Sequence, residues 1–201
     1  MDALETQSSN LEPRLMRVAI LTISDACSRG ERADTSGDSI AHWAELRGDA
    51  VTARACIADD NGQIVSQLLT WCDGDEADVV LTTGGTGLSE RDVTPEATRV
   101  VLEREAPGIA ELLRGSAMER FPRAALSRGL AGTRHRALIV NLPGSPGGVS
   151  DALVALDKIV DHAVALLRGE ATDHSAGSGK GEAGSETTAT RVPPPASRLP
   201  R

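Results

Sequence analysis

The chain is 201 residues long and carries a formal net charge of −8 at pH 7, a length that suits one domain with room for tails. Its acidity argues against non-specific binding to nucleic acid or an anionic membrane, because both are driven by clustered Lys and Arg. No apolar run approaches the roughly 20 residues that span a bilayer, and Met1-Asp-Ala-Leu-Glu5 lacks the basic start of a signal peptide, so a cytoplasmic protein is expected.

Residue usage narrows the chemistry further. Cys27, Cys56 and Cys72 contain no C-x-x-C spacing and are expected as free thiols, with Cys56 and Cys72 buried as small hydrophobes. His42, His135, His162 and His174 are scattered and unpaired with cysteines, which argues against a zinc site. Lys158 and Lys180 are the two lysines, and neither follows a glycine loop in the G-x-x-x-x-G-K pattern. Bound phosphate must then be held by backbone amides, hydroxyls, arginines or a metal. Trp43, Trp71 and Phe121 are too few to build a site by stacking bases on rings.

In chain order, residues 1–14 are polar and aperiodic and are expected as a loose arm. Met16 to Ser24 is a β-branched apolar run, as in a central strand covered on both faces, and the polar stretch from Ala26 to Ser36 reads as a loop. Gly37 to Gly48 is expected as a helix with Ile40, Trp43 and Leu46 on one face, closed by Gly48. Alternation over 50–57 predicts a second strand. Ile64, Val65, Leu68, Leu69 and Cys72 then mark a helix over 61–73.

Asp78-Val-Val-Leu-Thr-Thr-Gly-Gly-Thr-Gly87 reads as a strand running into a glycine loop, where residues without Cβ let backbone N–H groups converge on an anion. Thr94 as N-cap and Pro95 at the first position are expected to start a helix that runs to Pro107. A further helix over 107–120 would present Ile109, Leu112 and Leu113, and Ala124 to Arg134 is ambiguous. Arg136 to Leu142 reads as another buried strand, ending in the second glycine-rich loop, Asn141 to Gly148. One long helix is expected from Val149 to Leu167. Residues 169–201 shift to Gly, Ser, Thr and Pro and are expected as a disordered tail.

Strands alternating with helices imply an α/β domain over residues 15–168, three layers with a largely parallel sheet flanked by helices. In such folds ligands gather beyond the carboxyl ends of the strands. Ser24 and Asp25, Asp59, Thr83 to Gly87, and Asn141 to Ser145 all fall there. A loop that invites phosphate beside a carboxylate such as Asp92 points to metal-assisted phosphate chemistry. Taken singly, Asp59 and Asp92 read as loop acids or caps, and either glycine loop reads as a tight turn.

Leu81-Thr-Thr-Gly-Gly-Thr-Gly87 followed by Arg91-Asp-Val-Thr-Pro-Glu-Ala-Thr98 resembles the signature of molybdenum-cofactor biosynthesis proteins of the MogA, MoaB, plant Cnx1 G-domain and gephyrin G-domain type. The resemblance runs from about Arg17 to Arg168 and includes Ser24-Asp25, Asp34-Thr-Ser-Gly37, Trp71-Cys-Asp73, Glu103-Arg-Glu-Ala-Pro-Gly108, Leu126-Ser-Arg128 and Asn141-Leu-Pro-Gly-Ser145. It implies the molybdopterin-binding fold and a homotrimeric enzyme that transfers AMP from Mg-ATP to the terminal phosphate of molybdopterin. A separate molybdate-insertion protein would take the product. By the same resemblance Asp59 and Asp92 are the catalytic carboxylates and Mg²⁺ ligands. The substrate-binding residues it implies are Asp25, Thr83, Gly84, Gly85, Thr86, Gly87, Ser127, Arg128, Asn141, Pro143, Gly144 and Ser145. Ala58 stands where relatives usually carry proline, and Leu88-Ser-Glu90 also departs from the common form. The readings left open are a non-catalytic pterin-binding or scaffold protein of the MoaB type and a nucleotide-pyrophosphate hydrolase. The retained Arg91 to Pro95 run favours the catalytic branch.

Overall fold

The structure, a computed structural model, describes residues 15–170; the expected arm (1–14) and residues 171–201 of the expected tail lie outside the described residues. Each apolar run becomes a strand because alternate side chains can be buried on both faces of a covered sheet. β1 (Arg17–Ile23) pairs in parallel with β2 (Ala50–Ile57) and β3 (Val79–Thr83), and β3 pairs in parallel with β6 (Ala137–Leu142). β5 (Ala131–Arg134) runs antiparallel to β6, and the short β4 (Arg104–Glu105) runs antiparallel to β5. The six-stranded order is β2-β1-β3-β6-β5-β4, largely parallel as the alternation of elements implies.

Helices cover both faces. α2 (Thr35–Arg47), α5 (Pro107–Met118), α6 (Pro146–Leu156) and α7 (Val160–Arg168) share one core, in which Ile20, Ile40, Leu81, Leu138 and Leu156 meet. On the other face α3 (Asn61–Asp73) and α4 (Thr94–Val101) pack Ile64, Leu68 and Ala97 on Leu21, Val80 and Ile139. Burying each Leu or Ile side chain of this kind contributes roughly 1.5–3 kcal/mol. Gly48 closes α2 in the left-handed conformation, as expected.

Several expectations change. The long C-terminal helix is two, α6 and α7, separated at Asp157 to Ile159. Arg47 from α2 pairs with Asp157 on one side of that break and Asp161 on the other. α4 ends at Val101, and the residues after it form the edge strand β4. Pro107 disfavours helix in the residue before it, and β5 supplies a partner for the extended chain. The ambiguous segment resolves into a 3-10 turn at Pro122–Leu126 followed by β5. Leu46 and Leu112, expected on apolar faces, are solvent-exposed, as is Val100 on α4.

Cys27 and Cys56, expected as free thiols, form a disulfide, and Cys56 is half-buried. Both expectations treated the residues as sequence-distant singles. α1 (Asp25–Ser28), a short helix with no apolar periodicity to reveal it, lies against β2 and puts the two Cα atoms 6.3 Å apart, within disulfide reach. Cys72 is free and buried, as expected.

Candidate active site

The strand order reverses direction between β1 and β3, and the space beyond their carboxyl ends is where an open α/β sheet holds ligands. Gly84 leaves β3 there with φ +99°, and a Cβ built on it would lie 2.2 Å from the Ile23 carbonyl oxygen. Only glycine lets β3 turn this close to β1. Gly85 follows at φ +60°, where a Cβ would meet the Thr94 hydroxyl at 2.4 Å. Thr94 itself is not the N-cap of α4; that position is Val93, and the Thr94 hydroxyl donates to the Gly84 carbonyl at 2.9 Å. The loop is thereby tied to the helix behind it.

The second glycine loop closes onto the first. A Cβ on Gly144 would stand 3.2 Å from the Gly84 Cα. Thr83 donates to the Pro143 carbonyl at 2.6 Å, and Ser36 at the start of α2 donates to the Gly144 carbonyl at 2.9 Å. Ser145 caps α6 by accepting from the Gly148 N–H. Together Gly85, Gly144 and Ser145 form a saddle between two cavities.

The larger cavity, about 640 Å³, is walled by Thr86, Gly87, Asp92, Ser127, Asn141 and Pro143 and by Leu113, Ala117 and Phe121 from α5 and the turn after it. Arg114, Arg120 and Arg123 rim it. The smaller, about 490 Å³, is lined by Ser24, Arg32, Asp34, Asp59, Thr83 and Gly84. Each has the volume of a small-molecule site. Asp59 thus lies on one side of the saddle and Asp92 on the other.

The carboxylates are held by local turns. Asp92 accepts from the Ser89 N–H at 2.8 Å. Asp25 and Asp59 bracket each other: the Asp25 N–H donates to Asp59 Oδ2 at 2.9 Å, and the Asp59 N–H donates to Asp25 Oδ1 at 3.1 Å. Arg91 reaches across from the loop after β3 to pair with Asp25. Its guanidinium, with the Asp59 N–H, holds the Asp25 carboxyl below the usual carboxylate range. Asp25 lines neither cavity wall.

Among the described residues no three His, Cys, Asp or Glu side chains cluster as a metal site. Asp59 Oδ1 and Asp92 Oδ1 accept no hydrogen bond among the described residues. Each carboxylate thus keeps one oxygen without a protein partner, and a cation such as Mg²⁺, which commonly takes waters and substrate phosphates as its other ligands, needs few protein oxygens.

Two residues expected to bind substrate also make extensive bonds within the protein. Arg128 donates to the Gly87 carbonyl at 2.6 Å and to the Asp92 carbonyl, pairs with Glu96, and through its own N–H bonds the Thr86 carbonyl at 2.9 Å. It anchors the glycine loop and the return segment that carries Asp92. Asn141 reaches the cavity wall, but its amide nitrogen donates to Thr82 and Thr98, both at 2.9 Å, and its oxygen accepts from the Leu130 N–H at 3.0 Å. Ser127 sits in the wall of the larger cavity, its hydroxyl accepting from the Gly129 N–H at 3.3 Å. Sequence reasoning did not single out Arg32, Arg114, Arg120 or Arg123. No local motif marks them, although the scarcity of lysine already pointed to arginine.

Fold and site define a class: a three-layer α/β protein whose two touching glycine loops divide an anion-receptive cleft into two pockets, with a carboxylate on either side. Residues 19–164 match the model of the family described as a probable molybdopterin binding domain. The chain belongs to that family. It is 36% identical over 156 residues to a protein of Helicobacter pylori J99 named molybdopterin adenylyltransferase, covering 77% of this chain and 89% of that one. It is equally 36% identical over 157 residues to molybdenum cofactor biosynthesis protein B of Bacillus cereus, covering 77% and 90%. Among solved structures, that of the molybdopterin biosynthesis enzyme MoaB of Thermus thermophilus superposes with a TM-score of 0.73 at 47% identity, over 78% of this chain and 98% of that one.

Proposed function

We propose that this protein is a molybdopterin adenylyltransferase, transferring AMP from Mg-ATP to the terminal phosphate of molybdopterin in molybdenum-cofactor biosynthesis. The observation that carries this reading is the double cavity with a shared glycine saddle, because a group transfer needs two substrates to meet at one point. The larger pocket, with Phe121, Leu113 and its arginine rim, takes the flat pterin and its phosphate. The smaller, lined by Ser24, Arg32 and Asp59, takes the nucleotide.

An oxygen of the pterin's phosphate attacks the α-phosphorus of ATP, the bond to the bridging oxygen breaks, and pyrophosphate leaves. Several negative oxygens converge in that step, so the protein's task is positioning and charge stabilisation. Backbone amides of Gly84 to Gly87 orient phosphate oxygens, while Thr94 and Arg128 keep that loop in place. Asp59 and Asp92 are the residues that would hold Mg²⁺, which would neutralise phosphate charge. Arg32, bonded to the Ser24 hydroxyl at 3.0 Å, supplies a cation on the nucleotide side. No helix among the described residues is long and apolar enough to cross a membrane; a cytoplasmic location is part of the proposal. Self-association as a homotrimer is part of the same proposal, as the family resemblance implies. The adenylylated product passes to a molybdate-insertion protein.

The second reading is pterin binding without transfer, as a protein of the MoaB type; the names of the Bacillus and Thermus relatives do not include adenylyl transfer. Incubation with molybdopterin, ATP and Mg²⁺, followed by mass spectrometry, separates the two. Wild type is expected to yield adenylylated pterin. Asp92→Asn is expected to bind pterin but to lose roughly 100-fold or more in kcat. Retained pterin that is never adenylylated by wild type would establish the binding protein instead.

A further inference from the structure

α1 is a lightly anchored element of the cleft. It is four residues long, buries no side chain, and carries Asp25 at its first position. Its links to the sheet are polar: the Ser24 N–H to the Ile57 carbonyl at 2.9 Å, and the reciprocal bonds between Asp25 and Asp59. Such bonds at a water-filled cleft contribute little each, since water competes for every partner. A covalent cross-link, Cys27–Cys56, ties α1 to the end of β2 three residues before Asp59 and closes a sequence separation of 29. Both cysteines are half-buried, and Cys27 lines the smaller cavity. Cys72 gives an internal contrast: burial pushes its thiol up to about 12, which leaves it unreactive.

We propose that Cys27 and Cys56 form a reversible oxidation site that sets how firmly the Asp25–Asp59 bracket is held. In the oxidising direction the co-reactant is a low-molecular-weight disulfide such as glutathione disulfide. The S–S bond forms between Cys27 and Cys56, the small disulfide's S–S bond breaks, and it departs as two thiols carrying the two electrons and two protons. Excess thiol drives the exchange backwards. Reduction leaves α1 held by its chain connection to β1, its hydrogen bonds and the Arg91–Asp25 pair, so Asp59 moves more and the nucleotide side of the cleft loosens. The consequence for ATP rests on the adenylyltransferase reading; the effect on α1 does not.

The full-length protein, equilibrated in glutathione buffers of graded thiol-to-disulfide ratio, is alkylated and mapped by mass spectrometry. Cys27 and Cys56 are expected to become reactive together, with Cys72 unreactive throughout. In parallel, amide exchange over residues 24–31 and 57–60 is expected to quicken roughly tenfold on reduction, as a local opening, while β3 and β6 stay protected. KM for ATP is expected to rise several-fold in the reduced form. Cys27→Ser and Cys56→Ser should each show the reduced behaviour in every buffer, and the wild type needs neither variant to give the main result. The proposal is overturned if both thiols alkylate independently in all buffers, or if exchange over residues 24–31 and 57–60 is the same in the two states. Quickened exchange with no adenylyl transfer in either state would uphold the oxidation site and count against the catalytic reading. Quickened exchange with an unchanged KM in an active enzyme would overturn the link to the cleft.

Discussion

Replacing Asn141 by Ala separates a residue that touches substrate from one that holds the cleft together. The side chain is buried and joins four segments: Thr82 on β3, Thr98 on α4, the Leu130 N–H before β5, and its own strand β6. Removing it deletes three hydrogen bonds, each worth about 1 kcal/mol net, and strands the Leu130 N–H at somewhat greater expense. The sum is roughly 3–4 kcal/mol. At about 2–4 °C per kcal/mol for a chain of this size, Tm should fall by roughly 6–15 °C. The assay is a thermal melt followed by circular dichroism, paired with pterin binding at a temperature where the variant is folded. Folded Asn141→Ala should bind pterin within about threefold of wild type, because its amide is already engaged inside the protein. An unchanged Tm with a large loss of pterin affinity would refute this reasoning and restore Asn141 as a direct substrate contact.

Two further outcomes follow from the geometry. Gly84→Ala should abolish ligand binding at the saddle and lower Tm, since the new methyl meets the Ile23 carbonyl at a left-handed φ that Ala rarely adopts; wild-type affinity in equilibrium binding would contradict the close approach of β1 and β3. Asp78 is a matter of acid stability. Burial alone would raise its pKa, but hydrogen bonds from Arg17 and Arg168 outweigh burial and hold the carboxyl well below the usual range. A folded pKa depressed below the unfolded value of about 3.9 contributes stability above that pH and loses it as the pH falls further. Asp78→Asn should therefore melt well below wild type at pH 7, with the gap narrowing below about pH 4. An equal gap at pH 7 and pH 3 would show that the charge is not what matters.

Local chemistry written into consecutive residues was legible without a structure. The runs Val18 to Ile23, Val79 to Thr83 and Ala137 to Leu142 could only be covered strands, and Gly84, Gly85 and Gly87 announced a turn that brings backbone amides together. Asp59 and Asp92, read singly, were loop acids or caps, and the family resemblance marked them as candidates. What the sequence by itself could not determine was how residues far apart in the chain share their bonds. Arg128 serves carbonyls 36 and 41 residues away, and the amide of Asn141 is engaged by partners 11, 43 and 59 residues distant. Cys27 meets Cys56 only because α1 folds against β2. Periodicity reports which side of an element is buried; it carries no information about which distant side chain arrives there. The partition of the cleft into two pockets was likewise a tertiary decision, made where Gly144 closes onto Gly84 so tightly that a Cβ on Gly144 would stand 3.2 Å from the Gly84 Cα. Strand and turn preferences are set by neighbours along the chain, whereas that contact depends on the register of β3 against β6, which packing on both faces of the sheet selects.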